Sequence, residues 1–304
     1  MKKMTAAKHK SNIILLCAML TIILTGNVLA QGLPQTDIWV ASLDKGVPGQ
    51  LSKINPGTGY NNQPHFSMDG SSIYYTREMP DSTGGVQTDI AAYNIRSMST
   101  TMVNHSDESE YSPTPVPDRN ALSVIQVEPD QKQRLWAIDI SSGEPDLLLP
   151  AVEPVGYHAW FSHDEVAVFI LGESFTLQTA QLGKDNTATF AQNIGRSIRK
   201  HPQTGEVLFV DKNPEPWQIV TLNPDTGSKR TVMPLFPGGE DFTIDSQGNY
   251  WTGNGSRLYR RSGSDQRWQL MADFSAQGIR NITRLALNPA SDKIALVSDH
   301  NPPD

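Results

Sequence analysis

The chain has 304 residues, is 38% hydrophobic and 19% charged, and carries 25 Lys+Arg against 32 Asp+Glu for a formal net charge of −7. An acidic surface of this kind repels phosphate, which argues against nucleic acid or an anionic membrane as the main partner. A single cysteine, Cys17, excludes an intramolecular disulfide framework.

At the N-terminus, Lys2, Lys3, Lys8 and Lys10 precede an apolar run from Ile13 to Leu24, followed by Val28, Leu29 and Ala30. This predicts a signal peptide over residues 1–30, cut between Ala30 and Gln31. The apolar run is short for a membrane span of ~20 residues, which favours cleavage over a retained anchor. Cys17 lies inside the run rather than at its end, so no lipoprotein cleavage box is formed. Residues 31–304 then hold 21 Lys+Arg against 32 Asp+Glu, net −11, and no cysteine. Export without disulfides suits a periplasmic or secreted bacterial protein whose core is large enough to need no staples. No stable membrane insertion is expected after cleavage.

The first predicted element is a hairpin, Asp37 to Leu43 and Leu51 to Ile54. A phrase then recurs: an apolar or aromatic residue, a polar turn, and a β-branched or aromatic run. Its clearest copy is Gln63-Pro64-His65-Phe66-Ser67-Met68-Asp69-Gly70-Ser71-Ser72-Ile73-Tyr74-Tyr75. Later copies place Asp118, Asp164, Gln203, Gln247 and Ala290 where the first has Asp69, at steps of 49, 46, 39, 44 and 43 residues. Each complete copy is followed by a second hairpin, as in Leu135 to Ile140 with Leu147-Leu148-Leu149, and Trp217 to Leu222 with Thr231-Val232-Met233. Units of four strands at a spacing of ~40–50 residues are the signature of a β-propeller. The chain begins with a second hairpin and ends with a first one, Ile282 to Val297. Pairing the two completes a sixth blade and closes the ring, where both ends would otherwise expose unpaired sheet edges. The expected fold is therefore all-β: a single six-bladed propeller of four-stranded antiparallel blades over residues 31–304, closed by one blade shared between the termini. No amphipathic helix is expected, since Pro and Gly punctuate the chain throughout. The six tryptophans are expected on strands, packed between blades, and Arg77 to Asp89 reads as a long loop.

The phrase from Pro64 to Tyr75 resembles the WD-like repeat of TolB-type propellers. Copy three keeps it fairly well, copy two has Arg119 in place of the glycine, and copies four and six lack the Asp-Gly turn. The resemblance implies the propeller and places the first strand of each repeat innermost. It covers only the propeller, roughly Gln35 to Ser298; no counterpart of the N-terminal α/β domain of TolB is expected here.

Residues entering the innermost strands should ring a channel mouth, the usual ligand site of a propeller. Two positions form this ring: Gln63, Ser112, His158, Ser197, Asp241 and Arg284, preceded by Asn62, Tyr111, Tyr157, Arg196, Glu240 and Thr283. The candidate ligand-binding residues are Gln63, Tyr111, Tyr157, His158, Arg196, Glu240, Asp241 and Arg284, whose charges and aromatic faces suit a peptide terminus, a carboxylate or a sugar. No Gly-x-Ser-x-Gly elbow is present, and the histidines are scattered without metal-ligand spacing. The expected function is that of an exported, non-catalytic binding or scaffold propeller. It would recognise a protein, peptide or small ligand at the channel mouth, with no cofactor and a partner in the cell envelope. One alternative is a calcium-dependent lactonase or esterase, for which Asn62, Gln63, Glu240 and Asp241 offer oxygens while Arg196 and Arg284 oppose a cation. The other is a subunit of a cell-envelope complex.

Overall fold

The structure is a computed structural model and describes residues 32–300. The signal-peptide expectation, residues 1–30, lies outside the described residues. Six antiparallel sheets follow one another along the chain. Blade 1 comprises Asn61–Phe66, Ser72–Pro80, Val86–Asn94 and Ser99–Met102; blade 2, Ser109–Pro115, Ala121–Val127, Gln133–Asp139 and Pro145–Leu147. Blade 3 comprises Val155–Trp160, Glu165–Ile170, Thr176–Gln181 and Thr187–Gln192; blade 4, Ile194–Lys200, Val207–Asp211, Gln218–Leu222 and Lys229–Pro234. Blade 5 comprises Thr243–Ile244, Tyr250–Asn254, Arg257–Arg261 and Gln269–Asp273. Blade 6 is the shared one: Arg284–Leu287 and Lys293–Asp299 from the C-terminal end pair with Thr36–Asp44 from the N-terminal end. Its outer edge is split into two short pieces, Val47–Pro48 and Ser52–Lys53. The one helical turn among the described residues is a 3-10 turn at Ser275–Gln277.

The core is divided into six buried apolar clusters, one at each contact between neighbouring blades. Strand alternation makes this division, because successive side chains point to opposite faces. In Thr36–Asp44, Ile38 and Val40 pack toward blade 1 while Trp39, Ala41 and Leu43 pack toward blade 5. Its partner alternates in phase: Ala295 and Val297 face blade 1, Ile294 and Leu296 face blade 5. A strand buried on both faces must be apolar at nearly every position. The second strands meet that demand, as in Ala121-Leu122-Ser123-Val124-Ile125, all buried.

The turns after the innermost strands explain the degenerate copies. In blade 1, Gly70 has φ +72°, and Asp69 Oδ1 accepts from Ser67 Oγ (2.6 Å) and from the backbone N–H of Ser71 (3.0 Å). In blade 2, where Arg119 follows, the left-handed position moves to Asp118 at φ +58°, a conformation that Asp tolerates better than most residues.

Three local expectations are corrected. Arg77 to Asp89 is not a loop. The second and third strands of blade 1 extend through it in register from Arg77↔Asp89 to Pro80↔Val86, and only residues 81–85 turn, held by Asp81 Oδ1 on the N–H groups of Thr83 and Gly85. Trp217 and Trp268 each lie one residue before a strand, although both pack against the cluster between blades 4 and 5. The outer strand of blade 2 ends at Leu147, and Leu148 and Leu149 leave it to fill the core against blade 3.

Candidate functional site

The six innermost strands surround a cavity of about 530 Å³. One end is formed by the ring position expected from the repeat: Gln63, Ser112, His158, Asp241 and Arg284, joined by Tyr157 and Arg196. Its other end lies at the turns that follow the innermost strands, where Met68, Asp118, His163 and Lys200 are exposed. The ring position therefore lines one end of the cavity, and the turns after the innermost strands line the other.

Six of the eight candidate residues line this cavity: Gln63, Tyr157, His158, Arg196, Asp241 and Arg284. Tyr111 does not; its ring lies edge-on to Tyr60 at 6.4 Å. Glu240 also lies outside the lining. It accepts from Lys212 Nζ at 2.9 Å and sits 3.7 Å from Arg196, so it buttresses the ring from behind. Although burial works against its charge, Arg196 and Lys212 hold the Glu240 carboxyl below its ordinary range.

Bulges at the start of the innermost strands set which side chains face inward. Gln63 and Ser112 hold φ of +55° and +58° at two of these bulges. Gln63 Oε1 accepts from Thr76 Oγ1 and from the Ser112 N–H, both at 2.9 Å, which ties blade 1 to blade 2.

Three guanidinium groups line the ring end of the cavity. Arg284, nine-tenths buried, donates to Tyr157 Oη at 2.9 Å and lies 5.0 Å from the centre of that ring. Burial disfavours its charge, yet Tyr157 and Asp241 hold it above the ordinary arginine value. Arg196 donates across the channel to the Thr283 carbonyl at 2.9 Å. Arg199 lies 3.4 Å from Asp241 Oδ1, and Asp241 Oδ2 accepts from the backbone N–H of Leu285 at 3.1 Å. Burial lowers the Arg199 pKa; Asp241 offsets part of that effect, and Arg284 and Arg196 add to it by repulsion. Arg199 was not among the expected residues. Its signal was the strand period: it stands two residues after Ser197, as His65 stands two after Gln63.

Two histidines face the same space. Burial pushes His65 down to about 4 and His158 down to about 3, so both are neutral near pH 7. His158 Nε2 meets Ser123 Oγ at 2.6 Å, a spacing found in nucleophile–base pairs. Here the pair is structural: Ser123 is fully buried, and its oxygen also accepts from Trp160 Nε1 (2.8 Å) and reaches the Thr114 carbonyl (3.0 Å). Ser112 Oγ, His158 Nδ1 and Arg196 Nε are buried along the lining without a hydrogen-bond partner. Among the described residues, no group of three or more His, Cys, Asp or Glu side chains is placed to hold a metal ion, and no helix is long and apolar enough to cross a membrane.

No family model and no curated protein matches the sequence. Solved structures do. A protein assigned as TolB from Agrobacterium tumefaciens superposes with a TM-score of 0.68 at 11% identity, covering 89% of this chain and 100% of that one. TolB from Acinetobacter baumannii gives 0.58 at 9% identity over 88% of this chain; the match spans 64% of its own length, less than two thirds. A gluconolactonase from Xanthomonas campestris gives 0.58 at 8% identity, covering 79% of this chain and 86% of that one. At these identities the likeness is one of fold: the chain is a six-bladed propeller of the kind that TolB carries.

Proposed function

We propose that the chain is an exported, non-catalytic binding propeller whose channel takes a carboxylate-bearing chain end of a protein or peptide partner in the cell envelope. The observation that carries this reading is the charge at the ring end of the cavity: Arg196, Arg199 and Arg284 line it beside the carboxylate of Asp241, while Glu240, outside the lining, is shared between Arg196 and Lys212. This excess of positive charge sits in a chain whose overall charge is −7. Guanidinium groups recognise carboxylates with paired, charge-assisted hydrogen bonds, more strongly where water is thinned out. The unpartnered Ser112 Oγ and Arg196 Nε supply further contacts to such a group. Tyr157, packed on Arg284, offers an aromatic face beside it.

The same fold carries a gluconolactonase in Xanthomonas campestris. A calcium-dependent lactonase reading of this channel would need oxygens converging on a cation, and three guanidinium groups in the same space oppose one. A role as a subunit of an envelope complex is compatible with the binding reading and differs only in how durable the partner is.

The test uses peptide pools that are identical except for a free or an amidated C-terminus, with binding to the mature protein followed by fluorescence anisotropy. Free-acid peptides should bind at least about tenfold more tightly, a difference of about 1.4 kcal/mol, and Arg284→Met should remove that preference. Equal binding of acid and amide pools, or a preference that survives Arg284→Met and Arg199→Met, would count against the channel as the carboxylate site.

A further inference from the structure

The two ends of the cavity differ in what spans them. At the ring end, side chains cross between blades that are not neighbours. Arg284 of blade 6 donates to Tyr157 Oη of blade 3 at 2.9 Å, and Arg196 of blade 4 donates to the carbonyl of Thr283, just before blade 6, at 2.9 Å. Arg199 of blade 4 reaches the Leu285 carbonyl of blade 6 at 3.4 Å. At the turn end, the side-chain bonds among the described residues join neighbouring blades: Gln203 Nε2 donates to the Ser246 carbonyl at 3.2 Å, and the Ser246 N–H to Ser291 Oγ at 2.8 Å. A ligand whose carboxylate meets the guanidinium groups therefore extends toward the turn end, where nothing bridges the channel.

Along that path the wall turns apolar. Each blade, or the turn that follows its innermost strand, gives one apolar side chain to the lining: Met68, Pro117, Ala159, Ile198, Ile244 and Leu287, in blade order. Ala159, Ile244 and Leu287 are half-buried and rest on the clusters between blades. Packing between blades does not account for Met68, which is 69% exposed. Single exposed apolar residues are ordinary on a protein surface; Met68 differs because it shares one cavity wall with five others. His65, on the same wall, adds no charge near pH 7, since burial pushes it down to about 4. Arg199 is drawn toward Asp241, at 3.4 Å. Charge returns at the turn end with Asp118 and Lys200, exposed and of opposite sign.

We propose that the chain end taken by the channel is apolar as well as carboxylate-bearing, with aliphatic or aromatic terminal side chains lying against Met68, Pro117, Ala159, Ile244 and Leu287. This specificity rests on the reading of the arginines as a carboxylate site. Ligand pockets are lined mainly by apolar groups, with a few polar ones that fix orientation. Here the guanidinium groups fix the terminus and the apolar wall selects what precedes it. The cavity of about 530 Å³ falls within the ~300–1,000 Å³ of ligand pockets, room for a short chain end and not for a folded domain. Apolar side chains gain by leaving water against this wall, whereas serine or lysine there would lose water without finding a partner. Met68 is unbranched and adapts to different apolar shapes, so the selection is for apolar character rather than for one side chain.

The experiment measures binding of peptides that end in leucines or in serines, each as free acid and as amide, to the protein over residues 31–304. The leucine-ended free acid should bind at least about tenfold more tightly than the serine-ended one. Met68→Ser and Leu287→Ser should each shrink that ratio and keep the preference for acid over amide. Met68 is exposed, so its variant folds and decides the matter by itself if Leu287→Ser does not fold. Direction is tested separately. Residues 31–304 hold no cysteine, so His163→Cys places a single exposed thiol at the turn end. Its alkylation should slow in proportion to the fraction of protein occupied by the leucine-ended free acid. Equal binding of the leucine-ended and serine-ended acids, with acid still preferred over amide, would overturn this specificity and leave the carboxylate site standing. Equal binding of acids and amides would overturn both. A leucine preference untouched by Met68→Ser, or alkylation unchanged at saturating peptide, would put the apolar contact outside this wall and overturn the proposal.

Discussion

Substituting Ile38 by Ala tests how the ring is closed. Ile38 is fully buried on the N-terminal strand, opposite Val297 of the C-terminal strand, in the cluster between blades 6 and 1. Its backbone N–H donates to Asn55 Oδ1 at 2.7 Å, a bond that alanine keeps. The substitution removes three carbons, which at about 0.8 kcal/mol each comes to about 2.4 kcal/mol of lost transfer energy. The surrounding strands are held by six-fold packing and can relax only partly, so a cavity cost brings the total to about 3–4 kcal/mol. Urea unfolding of the protein over residues 31–304 should show a lower midpoint with an unchanged slope. Leu258→Ala, at an equally buried position between blades 5 and 6, is the control. If the N-terminal strand closes the ring, the two variants lose comparable stability. A loss within about 0.5 kcal/mol for Ile38→Ala, beside a large loss for Leu258→Ala, would mean that the N-terminal strand is dispensable and the closure argument is wrong.

Two further outcomes follow from the buried polar groups. His65 and His158 have folded pKa values of about 4 and about 3, below the ordinary 6.5. The unfolded chain thus takes up their protons first, and stability should fall as pH drops from about 6.5 toward 4. His158→Gln should make that fall shallower by about 1.4 kcal/mol per pH unit, the slope of one proton; an unchanged slope in urea unfolding at several pH values would refute the assignment. Ser123→Ala should cost about 1–3 kcal/mol, because it strips a partner from the buried Trp160 Nε1 and His158 Nε2. Equal unfolding midpoints for this variant and the wild type would show that the buried Ser123 network contributes nothing to stability.

Much of the architecture was legible before folding was considered. Turn chemistry such as Asp69-Gly70 and the doubly apolar second strands are local signals, and they repeat at a regular step. The incomplete hairpins at the two ends announced the shared blade, and the register from Thr36↔Asp299 to Ser42↔Lys293 realises it. The stretch from Arg77 to Asp89 misled because Pro80, Gly84 and Gly85 look like loop residues. Pro80 nonetheless sits at the last pair of a long hairpin, where a missing N–H matters least. Trp217 and Trp268 misled in the opposite sense: aromatic residues mark strands in a repeat, but these two pack from just outside them.

For this protein, then, the amino-acid sequence alone determined the blade number, the closure and the ring position, since strand alternation and turn residues act over a few neighbours and recur. What faces that ring was decided only in three dimensions. Tyr111 and Glu240 occupy the same repeat position as Tyr157 and Arg196, yet only the latter pair reaches the cavity, while Arg199, one turn of the strand period away from Ser197, enters it. Bulges re-aim individual side chains, and six strands from distant parts of the chain must meet before three arginines share one space.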